Sequence, residues 1–275
     1  MTASAPRADQ YEPFYREFDS PLMRQVRREA YGEDIGQHSW ASADELRQDA
    51  LRLGLVPNCR ILDLGSGPGG PLTFLVSNFG CVGVGLELSP SAVAVSYKRA
   101  AELGIQALFT AEVADLNELL PTDLGSFDGA LAVDVVLHVR DRQALFLQVA
   151  KRLRPGARFL LTDAGIITGA VSNEELQRRS AHGYTQFVPA GWNEQLLTAT
   201  GFHILETQDR TASVLRNASG RLAAMRNHRE ELESLSGAAS FQSQSDYLTT
   251  VADLADRRVV SRVMYLAELI GHDVG

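Results

Sequence analysis

From residue 42 to residue 165, short and nearly continuous apolar runs alternate with segments whose apolar positions recur every three or four residues. Runs of the first kind read as strands buried on both faces, and segments of the second kind as the helices that cover them. Ser42 and Glu45 form a capping-box pattern ahead of Leu46, Ala50, Leu51 and Leu53, which predicts a helix over 43–53 ended by Gly54. Ile61, Leu62 and Leu64 predict the first strand, and Pro71 opens a helix that Gly80 stops. A second strand ends at Glu87; Ser89 caps the helix after it, with Ala92, Val93, Val95 and Ala100 as the packing face and Gly104 as the stop. Ala107 to Thr110 reads as a third strand, Ala130 to Leu137 as a fourth broken only by Asp134, and Arg158 to Thr162 as a fifth. Asp141 caps the helix between the last two, expected to reach Leu153.

Strands and helices in this order predict an α/β fold, a doubly wound, parallel, Rossmann-like sheet with its ligand at the carboxyl ends of the strands. Residues 1–10 are small and polar and predict a disordered tail, 11–42 are aromatic enough to pack as an N-terminal lid, and 43–165 form the core. Past Asp163 the alternation breaks. A first insertion over 166–200, and a second, helical one at 211–256 within the closing segment 201–275, are expected over the carboxyl edge as a cap on a small pocket.

Composition narrows the function. With 275 residues, 45% of them hydrophobic, the chain can bury a full core. A formal charge of −8 and the lack of any Lys or Arg run speak against a nucleic-acid partner, and Arg24, Arg27 and Arg28 read as a solvated helix face. No apolar run approaches the ~20 residues that span a bilayer. Cys59 and Cys81 lack metal-ligand spacing and read as buried thiols. The expectation is a cytoplasmic protein with no membrane, nucleic acid or metal; on charge alone a basic protein substrate stays open, as does association into a homo-oligomer.

The chemistry concentrates where the first strand turns into its helix. Gly65, Gly67, Gly69 and Gly70 supply positive φ and let backbone approach a ligand closely. Glu87 follows 18 positions after Gly69, near the spacing of about 20 at which an acid meets a ribose in doubly wound folds. Asp63 beside the turn would repel a pyrophosphate, yet it suits a ligand that carries an ammonium and a sulfonium. The run from Asp63 to Gly69, acidic-x-Gly-x-Gly-x-Gly, resembles the first motif of the class I S-adenosylmethionine-dependent methyltransferases. GLELSP, AEVADL, FDGALAVDVVLHVRDR and LRPGARFLLTD resemble that family's later motifs, in order.

The resemblance implies S-adenosylmethionine as cofactor and S-adenosylhomocysteine as product. It assigns Asp63 and the turn of Gly65, Gly67 and Gly69 to the methionine end, Glu87 with Leu88 to the ribose, Glu112 with Val113 to the adenine, and Asp134 to a supporting contact. Ala111-Glu112 stands where the family has Gly-Asp, so Glu112 and Asp115 both stay candidates for the adenine. IGQHSW resembles the lid of small-molecule members, with Gln37, Ser39 and Trp40 facing the cofactor.

His138, in VLHV, resembles a functional histidine of phosphoethanolamine-type N-methyltransferases, which is paired there with an N-terminal tyrosine. A neutral imidazole can take a proton near pH 7, so His138 is the candidate base, with Tyr15 or Tyr31 as its partner. Tyr184, Phe187 and Trp192, with Arg178, Arg179 and His182, fall in the first insertion and Arg216 in the second. Aromatics suit a cationic amine acceptor, whereas arginines suit a carboxylate or phosphate. The expected reaction is methyl transfer to a small-molecule acceptor, a nitrogen before an oxygen or carbon. A nicotinamide oxidoreductase and a non-catalytic cofactor binder are the rival readings.

Overall fold

The structure is a computed structural model that describes residues 12, 15, 17–180 and 184–270. The tail expected at 1–10, and His182, lie outside the described residues.

One mixed sheet organises the chain. Its strands are β1 (Arg60–Leu64), β2 (Val82–Glu87), β3 (Phe109–Val113), β4 (Phe127–Val133), β5 (Leu153–Ile167), β6 (Val188–Pro189), β7 (Phe202–Asp209) and β8 (Val260–Leu269). The order is β3-β2-β1-β4-β5-β8-β7, with the two-residue β6 beside β5. Strands β1 to β5 pair in parallel, and β8 runs antiparallel to both of its neighbours. The sheet is therefore not parallel throughout. The connection over 211–256 leaves β7 and enters β8 at the same edge, so β8 has to run back.

The period of two along each strand divides the interior into two cores. Leu62 and Leu64 of β1 face the cluster that holds Phe146, Val149, Phe159 and Leu197, while Ile61 faces the cluster of Leu46, Leu72, Leu75 and Ala100. Helices α2 (Ala43–Leu53), α3 (Gly70–Phe79) and α4 (Pro90–Glu102) cover the second face. Helix α5 (Arg142–Ala150) covers the first, together with α7 (Trp192–Ala199), which follows the short α6 (Asn173–Arg179). Each fully buried leucine of these layers contributes about 1.5–3 kcal/mol.

Caps set the helix starts. Ser42, Ser89 and Asp141 accept from the backbone N–H of Glu45, Ala92 and Ala144. Several ends differ from the sequence pattern. The third strand begins at Phe109, because Gln106–Leu108 closes a 3-10 turn, and the α5 helix stops at Ala150 so that Leu153 can begin β5. The fourth strand stops at Val133, where Asp134 takes a left-handed φ of 54° and 136–138 form a 3-10 turn.

Helix α1 (Pro21–Tyr31) precedes the core. Its arginines are not all solvated: Arg27 is buried, donates to Asp34 and to the Phe18 carbonyl, and stacks 4.2 Å from the Phe18 ring centroid. Helices α8 (Thr211–Asn227), α9 (Arg229–Ser236) and α10 (Ala238–Asp256) connect β7 to β8. Val214, Ala218, Leu248 and Val251 of α8 and α10 pack with Trp40 and Ala164, which joins the N-terminal segment to the far end of the chain.

Candidate active site

The glycine turn after β1 is held open by close contacts. A Cβ on Gly65 would come within 2.3 Å of Val135, and one on Gly69, the cap of α3, within 2.5 Å of Ser96. The acid at the end of β2 ties the turn to the next helix: Glu87 Oε2 accepts the N–H of Gly67 and Oε1 that of Ser89, both at 2.9 Å. Burial pushes the Glu87 carboxyl up against the pull of these backbone donors. Asp63 is buried beside it, and its Oδ2 has no hydrogen-bond partner among the described residues. Burial, and then the neighbouring Glu87 charge, hold the Asp63 carboxyl well above the usual carboxylate range.

These groups form one wall of a cavity at the carboxyl edge of the sheet. Asp63, Gly65, Gly67, Glu87 and Leu88 line it, and past β3 so do Asp115 and Asn117. The exit of β4 adds Asp134 and His138. Left-handed backbone at a non-glycine residue costs of order 1–3 kcal/mol and persists where its surroundings enforce it. At Asp134 they do. Its N–H donates to the Thr162 carbonyl, and its Oδ1 accepts from Thr162 Oγ1 and Arg262 Nε, each at 2.8 Å. Arg262 is fully buried and also donates to Glu45 and Ser213; the Asp134 and Glu45 carboxylates keep its guanidinium charged despite burial.

The N-terminal segment closes the cavity from above. Tyr15, His38, Ser39 and Trp40 line it, and a Cβ on Gly67 would lie 3.7 Å from the Tyr15 hydroxyl. Tyr15 meets Phe18 and His38 edge to face at 6.0 and 5.7 Å. The loop touches the turn below it through Gly36, whose carbonyl would lie 2.2 Å from a Cβ on Gly70. Gly70 thus serves the close approach of two backbones.

Opposite the glycine turn stand Arg179 of α6, Arg221 of α8, Tyr247 of α10 and Thr185. Arg179 Nη1 donates to the Tyr247 hydroxyl at 2.7 Å. Both guanidinium groups lie near the Trp40 ring, 5.9 and 5.5 Å from its centroid, and neither has a salt-bridge partner among the described residues. His138 Nδ1 donates to the Tyr184 carbonyl at 2.8 Å, since a carbonyl only accepts. Burial, with the Arg179 and Arg142 charges, lowers the His138 pKa against the pull of the Tyr184 carbonyl and Asp163.

Several residues singled out in the sequence stand elsewhere. Glu112 and Val113 are exposed and do not line the cavity; the chain turns inward only after them, which makes Asp115 the acid at that exit. Gln37 is buried but spends its amide on Ile35 and Glu33 within the loop, and Gly69 packs helix against helix. Tyr31 lies behind the 35–40 loop with its hydroxyl donating to the Ser39 carbonyl at 3.0 Å, and burial raises its pKa. Arg178 points to solvent, Trp192 is 43% exposed at the start of α7, and Tyr184 and Phe187 stay outside the cavity lining. Arg216 is exposed as well. Sequence reasoning missed Arg221 and His38. A signal existed for the first: Val214, Asn217, Ala218 and Arg221 share one face of α8, so Arg221 is a charge on an otherwise buried stripe.

Among the described residues no group of three or more His, Cys, Asp or Glu side chains is placed to hold a metal ion, and no helix is long and apolar enough to cross a membrane.

Residues 62–161 match the family described as a methyltransferase domain. The matched segment lies within a fold shared with solved methyltransferase structures. Its curated relatives include nitrogen and oxygen methyltransferases alike. A phosphoethanolamine N-methyltransferase from Triticum aestivum is 30% identical over 179 residues, 65% of this chain but 35% of the relative. An O-methyltransferase from Pyrenophora dematioidea is 29% identical over 159 residues, 58% of this chain and 59% of the relative. The chain thus spans about a third of the phosphoethanolamine relative's length. Among solved structures, phosphoethanolamine N-methyltransferase 2 of Haemonchus contortus, in complex with phosphomonomethylethanolamine and S-adenosylhomocysteine, superposes with a TM-score of 0.77. It is 19% identical, over 96% of this chain and 60% of that one. The cyclopropane synthase MmaA2 from Mycobacterium tuberculosis superposes at 0.76, 18% identical, covering 96% of each chain.

Proposed function

We propose that this chain transfers a methyl group from S-adenosylmethionine to a small-molecule acceptor, with an amine nitrogen preferred. One observation carries the reading: the unpartnered Oδ2 of Asp63, buried in the cavity wall beside the glycine turn. A buried carboxylate needs a donor or a cation and disfavours a diphosphate, which weighs against a nicotinamide cofactor.

The residues present fit S-adenosylmethionine. Asp63 would take its ammonium. Glu87 would take the ribose hydroxyls, because each carboxylate oxygen can accept more than its one backbone N–H. Asp115 and Asn117 would border the adenine. When bound, the cofactor supplies an electrophilic methyl group on a sulfonium. The chain's own task is to align the acceptor with that methyl and to exclude water, and positioning of this kind is worth about 7–11 kcal/mol. With Nδ1–H committed to the Tyr184 carbonyl, neutral His138 carries its basic lone pair on Nε2 and can accept the acceptor's proton. Tyr15, in the cavity lining, is better sited than Tyr31 to share the acceptor.

Arg179 and Arg221 refine the acceptor class. Two guanidinium groups beside one cavity, with no ion pair of their own among the described residues, suit an anion. The acceptor we propose carries an amine at the His138 end and a carboxylate or phosphate at the arginine end. A hydroxyl acceptor is the second reading, favoured by the O-methyltransferase relatives and by a base that deprotonates either atom. A net charge of −8 supports a free small molecule rather than a nucleic acid, and the proposed setting is the cytoplasm.

Calorimetry with S-adenosylmethionine and NADH tests the cofactor, and tight binding of NADH alone overturns the reading. Release of S-adenosylhomocysteine across a panel of amines and phenols, with and without an acidic group, tests the acceptor. Cofactor affinity with no product from any member would make the chain a binder rather than an enzyme.

A further inference from the structure

A second buried charge cluster lies behind the acceptor end, in residues no cofactor would reach. Arg142, at the first position of α5, and Asp163, in β5, are both fully buried, and Arg142 Nη1 donates to Asp163 Oδ2 at 2.6 Å. Asn193, also fully buried, joins them: its Nδ2 donates to the same oxygen at 2.9 Å, and its Oδ1 accepts from Arg142 at 2.8 Å. A buried ion pair is weak evidence of stability, because apolar residues of similar volume often do as well. It calls for another reason.

The other arm of Arg142 supplies one. Arg142 Nη2 donates to the Gln186 carbonyl at 2.8 Å, and the Gln186 N–H donates to the Leu137 carbonyl at 2.7 Å. Residues 184–186 are thereby held against the 3-10 turn of 136–138, where the Tyr184 carbonyl receives His138 Nδ1–H. We propose that Arg142, backed by Asp163 and Asn193, is a positioning residue that fixes the tautomer and ring orientation of His138 through the 184–186 segment. The proposal rests on the reading of His138 as the base. Without the Tyr184 carbonyl in place, the imidazole proton is free to move to Nε2, and the ring then faces the acceptor with a donor instead of a lone pair.

Two variants test it. Arg142→Met/Asp163→Leu removes both charges, so that neither is left buried alone. Arg142→Lys keeps the ion pair, but a single ammonium cannot span Asp163 and the Gln186 carbonyl as the planar fork does. Nitrogen-15 NMR of the imidazole is expected to show the Nδ1–H tautomer in the native protein and a mixture in both variants. In parallel kcat falls on the order of 10- to 100-fold, the cost of a misplaced catalytic group, while the cofactor Kd stays unchanged. A native tautomer and native kcat in Arg142→Lys, or in a folded double variant, overturns the proposal. His138→Gln separates the two ideas. Full activity there sinks the base assignment, and the NMR signature still reports whether Arg142 sets the ring.

Discussion

The backbone N–H of Trp40 donates to Asp134 Oδ2 at 3.0 Å, joining the N-terminal segment to the exit of β4 across 94 positions of sequence. The carbonyl of the same residue accepts from Asn217 Nδ2 of α8 at 2.6 Å. Trp40 is thus pinned at its N–H by Asp134 and at its carbonyl by Asn217, with its ring near Arg179 and Arg221. Asn217→Ala leaves the Trp40 carbonyl buried without its donor, which costs about 1–3 kcal/mol. The expected result is a lower melting temperature and a raised acceptor KM, with a smaller change in cofactor Kd.

Asp63→Asn separates stability from binding. A carboxyl whose folded pKa is raised makes the folded state bind more protons than the unfolded one. Stability then falls as pH rises from the unfolded value of roughly 3.9 through the raised folded pKa, and the full penalty applies above it. The amide has no such penalty. Melting of the ligand-free variant is expected above the native protein at pH 7–8, with the gap closing toward pH 4. Cofactor affinity is expected to fall at least about tenfold, the scale of a hydrogen bond to a charged group. Unchanged affinity by calorimetry would contradict the assignment of Asp63 to the ammonium.

The proposed base, His138, must be neutral to work. Since burial lowers its folded pKa, the basic form persists below the ordinary value of about 6.5, and the acid limb of kcat/KM is expected under that pH. Stability is also lost as pH falls from about 6.5 toward the lowered folded value, because over that window the unfolded ring takes up a proton and the buried ring does not. In His138→Gln the limb disappears and kcat drops on the order of 10²- to 10⁴-fold. A pH-rate profile of both proteins is the measurement.

Arg179→Gln and Arg221→Gln address the acceptor. Each is expected to raise KM about tenfold or more for an acceptor with a carboxylate or phosphate, on the scale of one charged hydrogen bond. Acceptors without an acidic group should respond little, and the cofactor Kd should not move. Equal losses for both acceptor types would argue that these arginines support the fold instead.

Gly70→Ala probes the contact between the 35–40 loop and the glycine turn. Its Cβ would fall 2.2 Å from the Gly36 carbonyl, and one of the two backbones must shift, at about 1–3 kcal/mol. The core beneath is untouched. Weakened cofactor binding together with faster proteolysis inside 32–40 is the expected pair of observations, while circular dichroism stays native.

How much of this was legible in the chain differs by region. From Arg60 to Pro90 nearly everything follows from local chemistry: a short apolar run bounded by turn residues reads as a buried strand, Gly65 and Gly67 take positive φ that other residues avoid, and Ser89 with Pro90 starts a helix. Strand, turn and acid are neighbours in sequence and remain so in space, which is why Asp63, Gly65, Gly67 and Glu87 could be picked out together. Farther along the chain Glu112 and its neighbour Val113 both stand exposed at the end of β3, and the acid that lines the cavity is Asp115, where the chain bends inward.

The proposed acceptor end was decided by tertiary structure. Arg179, Arg221, Tyr247 and His138 come from four separate elements, and no local rule relates a charge on α6 to one on α8. The reversed direction of β8 is of the same kind: a strand's own residues specify that it is buried, whereas its orientation follows from where the preceding helices deliver the chain. Local sterics and solvation act over a few residues and can be read one segment at a time. Convergence of side chains across the sheet edge depends on how whole elements pack, and that information exists only once the chain has folded.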